Sequence, residues 1–146
     1  MIASKGALEE VREFFEQQLV LCDLLEAIAD SLPNRLNHAR CLTASKLIGP
    51  LLREAHAAEE AVLFPSIIAT HARGTQLVEQ LRLEHLEDEC FGEEVQFELH
   101  QLACKQPVLA PEATGYMLRG FFECLRRHVR HERQLLNALP AQAALN

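Results

Sequence analysis

Three histidines in this chain are each followed by a glutamate four residues later. The pairs are His56 with Glu60, His85 with Glu89, and His128 with Glu132. Because residues four apart lie on one face of an α-helix, each pair can present an imidazole and a carboxylate to the same point. Both groups are common ligands of transition metals such as iron and zinc. The spacing therefore predicts a metal site assembled from side chains of three helices.

Prolines and glycines divide the chain into four long segments without strand patterning. From these helix-breaking residues we expect helices over about residues 5–31, 36–71, 75–104 and 111–138. Gly49 and Pro50 predict a kink or an interruption in the second helix. Four long helices joined by short connections predict an all-α fold, an up-down-up-down antiparallel four-helix bundle.

The apolar residues of each segment recur three and four positions apart, which marks the face of each helix that points into the bundle. On this count the pairs His56 with Glu60 and His128 with Glu132 lie on inward faces. His85 also points inward, whereas the choice between Asp88 and Glu89 is left open. Glu59 is expected on a solvated face, and the alternative is a supporting carboxylate that orients a ligand histidine. Because buried carboxylates without partners are costly, the inward pattern favours a bound cation.

The composition of the chain limits which classes of protein it can belong to. With 146 residues, a single domain over residues 1–146 is expected. The net charge of −7, with no basic cluster beyond residues 126–133, argues against a nucleic-acid partner. No apolar run reaches the roughly 18 to 20 residues of a membrane span, and the N-terminus has no apolar signal core, so a cytoplasmic location is expected. The five cysteines form no C-x-x-C pair and are expected to be reduced and mostly buried.

Three stretches resemble the hemerythrin-like, or HHE cation-binding, domains. They are HAAEEAVLFPSI (residues 56–67), LRLEHLEDE (residues 81–89) and HVRHERQLLNALP (residues 128–140). The likeness covers nearly the whole chain in the family's order. It implies a hemerythrin-like bundle that holds two non-haem irons, bridged by two carboxylates and an oxygen species. In that arrangement Glu60 and Glu132 would be the bridging carboxylates, and His56, His85 and His128 would be terminal ligands.

The sequence departs from the family pattern at two ligand positions. Phe15 stands where the first helix of such domains carries an inward histidine, and Leu81 stands where the third helix carries the first of two. The chain thus keeps five of the seven ligands that the resemblance implies. Glu89 could replace one missing group, and Gln18 could offer a carbonyl oxygen. Such a site would be richer in oxygen ligands, which makes reversible dioxygen carriage less favoured.

Three kinds of site therefore stay open. A di-iron or mixed-metal site would retain His56, Glu60, His85, Glu89, His128 and Glu132. A site for one iron or another divalent cation would use the three histidines with one or two glutamates. A bundle without metal would act as a protein-interaction module, for example as a homodimer. With metal, the expected function is to bind or sense oxygen, nitric oxide, iron or redox state, and the alternative is an oxidative enzyme of the di-iron carboxylate kind.

Overall fold

A computed structural model describes residues 2–140 and shows four helical rods. The elements are α1 (Lys5–Ser31), α2 (His38–Ala58), a π-helical segment (Glu59–Leu63), α3 (Phe64–Thr70), α4 (Gly74–Ala103) and α5 (Pro111–Asn137). The second rod consists of α2, the π-helical segment and α3, which follow one another without a break. Helices α1 and α4 each pack against α2 and α5. This arrangement confirms the predicted all-α, up-down-up-down four-helix bundle.

Local sequence signals explain where the helices begin. The side chain of Ser4 accepts a hydrogen bond from the backbone N–H of Ala7, and Asn37 caps α2 in the same way through Arg40. Each cap satisfies a backbone donor that has no partner inside the helix. Pro111 begins α5, a position where its missing N–H costs nothing. These signals fix the lengths of the rods and so the levels at which their side chains face one another.

The second rod departs from α geometry at a different place from the one predicted. Helix α2 continues through Gly49 and Pro50, so the interruption expected there is wrong. The change comes instead in the π-helical segment, where the backbone N–H of Phe64 bonds to the carbonyl of Glu59, five residues earlier. This wider turn directly precedes Pro65, whose ring in a regular α-helix would clash with the carbonyl four residues before it. The wider turn also changes which side chains point inward.

The core holds four fully buried phenylalanines among leucine, isoleucine and valine side chains. They are Phe15, Phe64, Phe121 and Phe122. Burying each such side chain stabilises the fold by roughly 1.5 to 3 kcal/mol. The rods also approach closely at Gly74, where an added Cβ would lie 2.6 Å from the Cα of Ile68. The turn between α3 and α4 therefore has no space for a side chain at that position.

Two expectations about the surface have different outcomes. No helix within residues 2–140 combines the length and the apolar character needed to cross a membrane. The prediction that the cysteines are mostly buried is wrong for two of the five. Cys22 and Cys41 are buried, Cys124 is half-buried, and Cys90 and Cys104 are exposed, because Cys90 lies outside the inward stripe of α4 and Cys104 follows the end of that helix.

Candidate metal centre

Three side chains from three different elements meet inside the bundle, and we call them the buried cluster: Glu59, His85 and Glu132. They come from the π-helical segment, α4 and α5, and their ligand atoms all lie within 4.8 Å of one another. Their exposed fractions are 0%, 2% and 2%. The Nε2 atom of His85 lies 3.0 Å from Oε1 of Glu132 and 3.2 Å from Oε1 of Glu59. Two carboxylates thus converge on one imidazole nitrogen away from solvent.

One oxygen of the buried cluster lacks a hydrogen-bond partner. Glu59 Oε2 accepts a hydrogen bond from Nε2 of Gln18 at 3.1 Å, but Glu59 Oε1 accepts none. The nearby Nε2–H of His85 is directed at Glu132 instead. A buried carboxylate oxygen without a donor is strongly unfavourable, because burial removes the water that would otherwise solvate it. The donor set of two carboxylates and an imidazole, together with this oxygen, fits a divalent transition-metal ion such as iron.

The protonation of the buried cluster follows from its burial and its short contacts. Burial raises the pKa of Glu132 well above its usual range. Burial acts the same way on Glu59, but the contacts with His85 and Glu132 outweigh it and lower the pKa of Glu59. Burial would lower the pKa of His85, yet its hydrogen bond to Glu132 and its 3.2 Å contact with Glu59 raise it to about 11. Without a cation, His85 is therefore an imidazolium that partly compensates the carboxylates.

His56 lies beside the buried cluster but pairs with a different carboxylate. Its ring stacks on that of His85, with centroids 3.8 Å apart and planes at 4°. Its Nδ1 atom lies 2.7 Å from Oε2 of Glu89. Burial and the neighbouring His85 lower the pKa of His56, so at neutral pH the ring is neutral and Nδ1–H donates to Glu89. This arrangement leaves the Nε2 lone pair of His56 as a potential ligand, with Glu89 orienting the ring.

His128 belongs to a second group, which we call the outer cluster: Glu84, Asp88, Cys124 and His128. His128 Nδ1 lies 2.7 Å from Oδ2 of Asp88, and its Nε2 lies 3.1 Å from Oε1 of Glu84. The thiol of Cys124 is 3.6 Å from the same Nε2 atom. The hydrogen bond to Asp88 raises the pKa of His128. The side chains of Glu84 and His128 are 18% and 17% exposed, so this group lies nearer the surface.

The structure brings together some of the residues predicted from the sequence and separates others. His85 and Glu132 meet in the buried cluster, and Glu60 contacts it by accepting a 2.9 Å hydrogen bond from Nδ1–H of His85. His56 and Glu89 form the adjacent pair, whereas His128 lies in the outer cluster. Among the described residues, each of the three histidines pairs with a carboxylate from another segment and not with the glutamate four residues later. The carboxylate partners thus lie on other segments and not one helical turn later, and the role of the three histidines as metal ligands stays a prediction.

Sequence reasoning missed Glu59 and left the phase of α4 open. The solvated face expected for Glu59 is wrong: this residue is fully buried, because it opens the π-helical segment while Glu60 turns outward. Its spacing of three from His56, with Pro65 six residues later, was the available signal. On α4, Asp88 points inward with a side chain 4% exposed, whereas the side chain of Glu89 is 32% exposed. Phe15 and Leu81 stand at the two positions where the sequence lacks a ligand of the family pattern, and both are buried.

The comparison with protein families agrees with this arrangement. The hemerythrin HHE cation binding domain matches residues 8–139, which include both clusters and nearly all of the four helical rods. No curated protein and no solved structure matches the chain. The match covers most of the chain, and the family's description names cation binding as its shared property. The chain belongs to the hemerythrin HHE cation-binding domain family.

Proposed function

We propose that this protein binds one non-haem iron ion in the buried cluster and that iron occupancy stabilises the bundle, so that the protein responds to iron. The observation that supports this proposal is the partnerless Oε1 atom of Glu59, 3.2 Å from Nε2 of His85. A cation between Glu59, His85 and Glu132 would give this oxygen a partner. When bound, the ion supplies positive charge that compensates two buried carboxylates.

Each residue of the buried cluster has a role in this proposal. Glu59 and Glu132 supply oxygen ligands, and His85 supplies Nε2 after losing the proton that it carries without metal. Glu60 accepts the Nδ1–H of His85 and holds the ring in place, a common arrangement for histidines that bind metals. Gln18 holds Glu59 in place by donating a hydrogen bond to its Oε2 atom. The ligands and their supporting hydrogen bonds thus come from four elements.

Three observations favour one ion over the two that the family resemblance implies. Phe15 and Leu81 fill two ligand positions with apolar side chains. His128, expected as a terminal ligand, has both ring nitrogens within 3.1 Å of carboxylates in the outer cluster. The buried cluster alone brings three ligand atoms within 4.8 Å without any need for His128.

The closed surroundings favour an iron-responsive role over catalysis or dioxygen carriage. An enzyme or a carrier needs an open coordination position that a substrate or a small ligand can reach. All three residues of the buried cluster are at most 2% exposed. Since the ligands come from the second rod, α4 and α5, a bound ion would connect three of the four rods. Removing it would leave the imidazolium of His85 as the main compensation for the two buried carboxyl groups and would loosen the bundle.

Iron content and thermal stability test this proposal together. We expect protein loaded anaerobically with ferrous iron and then desalted to retain iron and to melt at a higher temperature. A ligand present at about 100 times its dissociation constant stabilises the folded state by about 2.7 kcal/mol. The Glu132→Gln variant should lose both effects, and Glu123→Gln, an exposed change on the same helix, should keep them. If the unaltered protein retains no iron and its melting temperature does not respond to iron, the proposal is wrong.

A further inference from the structure

The outer cluster consists of two facing pairs on neighbouring helices. Glu84 and Asp88 lie four residues apart on α4, and Cys124 and His128 lie four residues apart on α5. Residues with this spacing share a helix face, so each helix presents two ligand-type side chains to the other. The ligand atoms of Asp88, Cys124 and His128 lie within 4.8 Å of one another. The group includes a thiol, which the buried cluster lacks.

We propose that the outer cluster is a second cation site, selective for a thiol-binding divalent ion such as Zn²⁺. Zinc binds cysteine sulfur, histidine nitrogen and carboxylate oxygen, and all three donor types occur here. The thiolate favours such ions over Mg²⁺ or Ca²⁺, which prefer oxygen ligands alone. This site shares no residue with the buried cluster, so the two sites can be tested separately.

The two nitrogens of His128 define where the ion would lie. On one side of the ring, Nδ1 lies 2.7 Å from Asp88. On the other side, Nε2 lies near the thiol of Cys124 at 3.6 Å and near Glu84 Oε1 at 3.1 Å. Histidines that bind zinc through one nitrogen commonly donate the other N–H to a carboxylate. Because the ligand atoms of Asp88, Cys124 and His128 lie within 4.8 Å of one another, the ion lies between these three residues, and Glu84 orients the ring by accepting its other N–H.

Partial exposure gives this site a property that the buried cluster lacks. The side chains of Glu84 and His128 are 18% and 17% exposed, and Cys124 is half-buried. Three protein ligands at a site reached by solvent leave a fourth position for water, whereas structural zinc sites are closed by four protein ligands. The site can thus load and release its ion without opening the core. A bound ion would also hold the thiol of Cys124 as a thiolate ligand.

Cobalt substitution tests the proposal, because Co²⁺ bound to a thiolate shows an intense charge-transfer absorption in the near ultraviolet. The untagged full chain is titrated with Co²⁺ under anaerobic conditions and then with Zn²⁺. We expect the absorption to appear in the unaltered protein and in Glu132→Gln, to be abolished by Zn²⁺, and to be absent in Cys124→Ser. Cys90→Ser, an exposed cysteine on α4, is the matched control and should keep it. Absence of the absorption from the unaltered protein, or its persistence in Cys124→Ser, would overturn the proposal.

A second measurement needs no variant and so does not depend on how Cys124→Ser folds. Alkylation of each cysteine is followed by mass spectrometry with and without Zn²⁺. We expect Zn²⁺ at about ten times its dissociation constant to slow the alkylation of Cys124 by about tenfold, because only about one site in ten is then free to react. The exposed Cys90 and Cys104 should react at unchanged rates. Equal protection of all three cysteines, or none at Cys124, would contradict a specific site.

The carboxylates are tested by three substitutions on α4. Asp88→Asn removes a proposed ligand, and Glu84→Gln removes the group that orients His128. For Glu84→Gln we expect the affinity for Co²⁺ to fall by about 10- to 100-fold, and for Asp88→Asn by more. The exposed Glu87→Gln is the control and should change little. Affinities of Glu84→Gln and Asp88→Asn equal to that of the control would exclude the carboxylates and with them the site described here.

Discussion

The buried and outer clusters use similar side chains at different depths in the same bundle. Each combines one histidine with two carboxylates, and each lies where α4 faces another rod. The buried cluster is at most 2% exposed and contains a carboxylate oxygen without a partner. The outer cluster lies nearer the surface and adds the thiol of Cys124. Depth therefore decides how much the protein depends on a cation, because solvent can replace a missing partner only in the outer cluster.

The protonation of the two histidines shows the same difference. Short contacts with Glu132 and Glu59 raise the pKa of His85 to about 11 in spite of its burial. The pKa of His128 is also raised, chiefly by its hydrogen bond to Asp88. In the buried cluster this charge is the main compensation for two carboxylates when no metal is bound. In the outer cluster, which lies nearer the surface, solvent also stabilises the charged carboxylates.

The largest expected difference between the clusters concerns removal of the histidine. Without metal, His85→Ala leaves two buried carboxyl groups with no positive partner, which should lower the free energy of unfolding by about 3 to 5 kcal/mol. His128→Ala should cost less, about 1 to 3 kcal/mol, because its partners are partly solvated. Urea denaturation in the presence of a chelator measures both. An equal or larger loss for His128→Ala would contradict the assigned difference in depth.

A smaller effect is expected for the amide that supports Glu59. Gln18→Leu removes the donor to Glu59 Oε2 and should lower the free energy of unfolding by about 1 to 3 kcal/mol. It should also weaken iron binding by about 10- to 100-fold, because it releases a ligand from its fixed position. Gln17→Leu, an exposed change one residue away, is the control for both measurements. If the two variants bind iron equally well, Gln18 does not position the ligand.

The stability of the metal-free protein should depend on pH through the buried cluster. The pKa of His85 rises from the usual value of 6.5 to about 11 on folding, so its stabilising contribution is complete below 6.5 and is lost as pH rises toward 11. Glu132, whose pKa is also raised, acts in the same direction. We therefore expect urea denaturation to show falling stability between pH 7 and about pH 10. His85→Ala should flatten this slope, and a slope that is unchanged in that variant would assign the effect to other groups.

The architecture could be predicted from the sequence because its signals are repetitive. Helix breakers and the spacing of apolar residues recur along each rod, so an error at one position does not alter the result. Within the site, His85 and Glu132 were placed correctly for the same reason. They lie on regular helices, where the inward face follows from counting.

The partners of the histidines could not be predicted because each depends on a single local feature. Glu59 and Glu60 are neighbours, and the π-helical segment before Pro65 decides which one points inward. A regular helix favours Glu60, and only the backbone geometry shows that Glu59 is the buried one. His128 is a similar case. The buried stripe of α5 passes through Val129 and Glu132, which leaves His128 at its edge beside Asp88.

The adjacent glutamates provide the most direct test of iron binding in the buried cluster. Iron per chain is measured by elemental analysis after anaerobic loading and desalting, with Glu59→Gln and Glu60→Gln compared under the same conditions. Because Glu59 is a ligand in the proposed site and Glu60 only accepts a hydrogen bond from His85, Glu59→Gln should lose most of the iron. Glu60→Gln should retain most of it when iron is in excess. If Glu59→Gln retains iron and Glu60→Gln loses it, the proposed ligand set is wrong. Glu60, which lies four residues after His56, would then be the ligand.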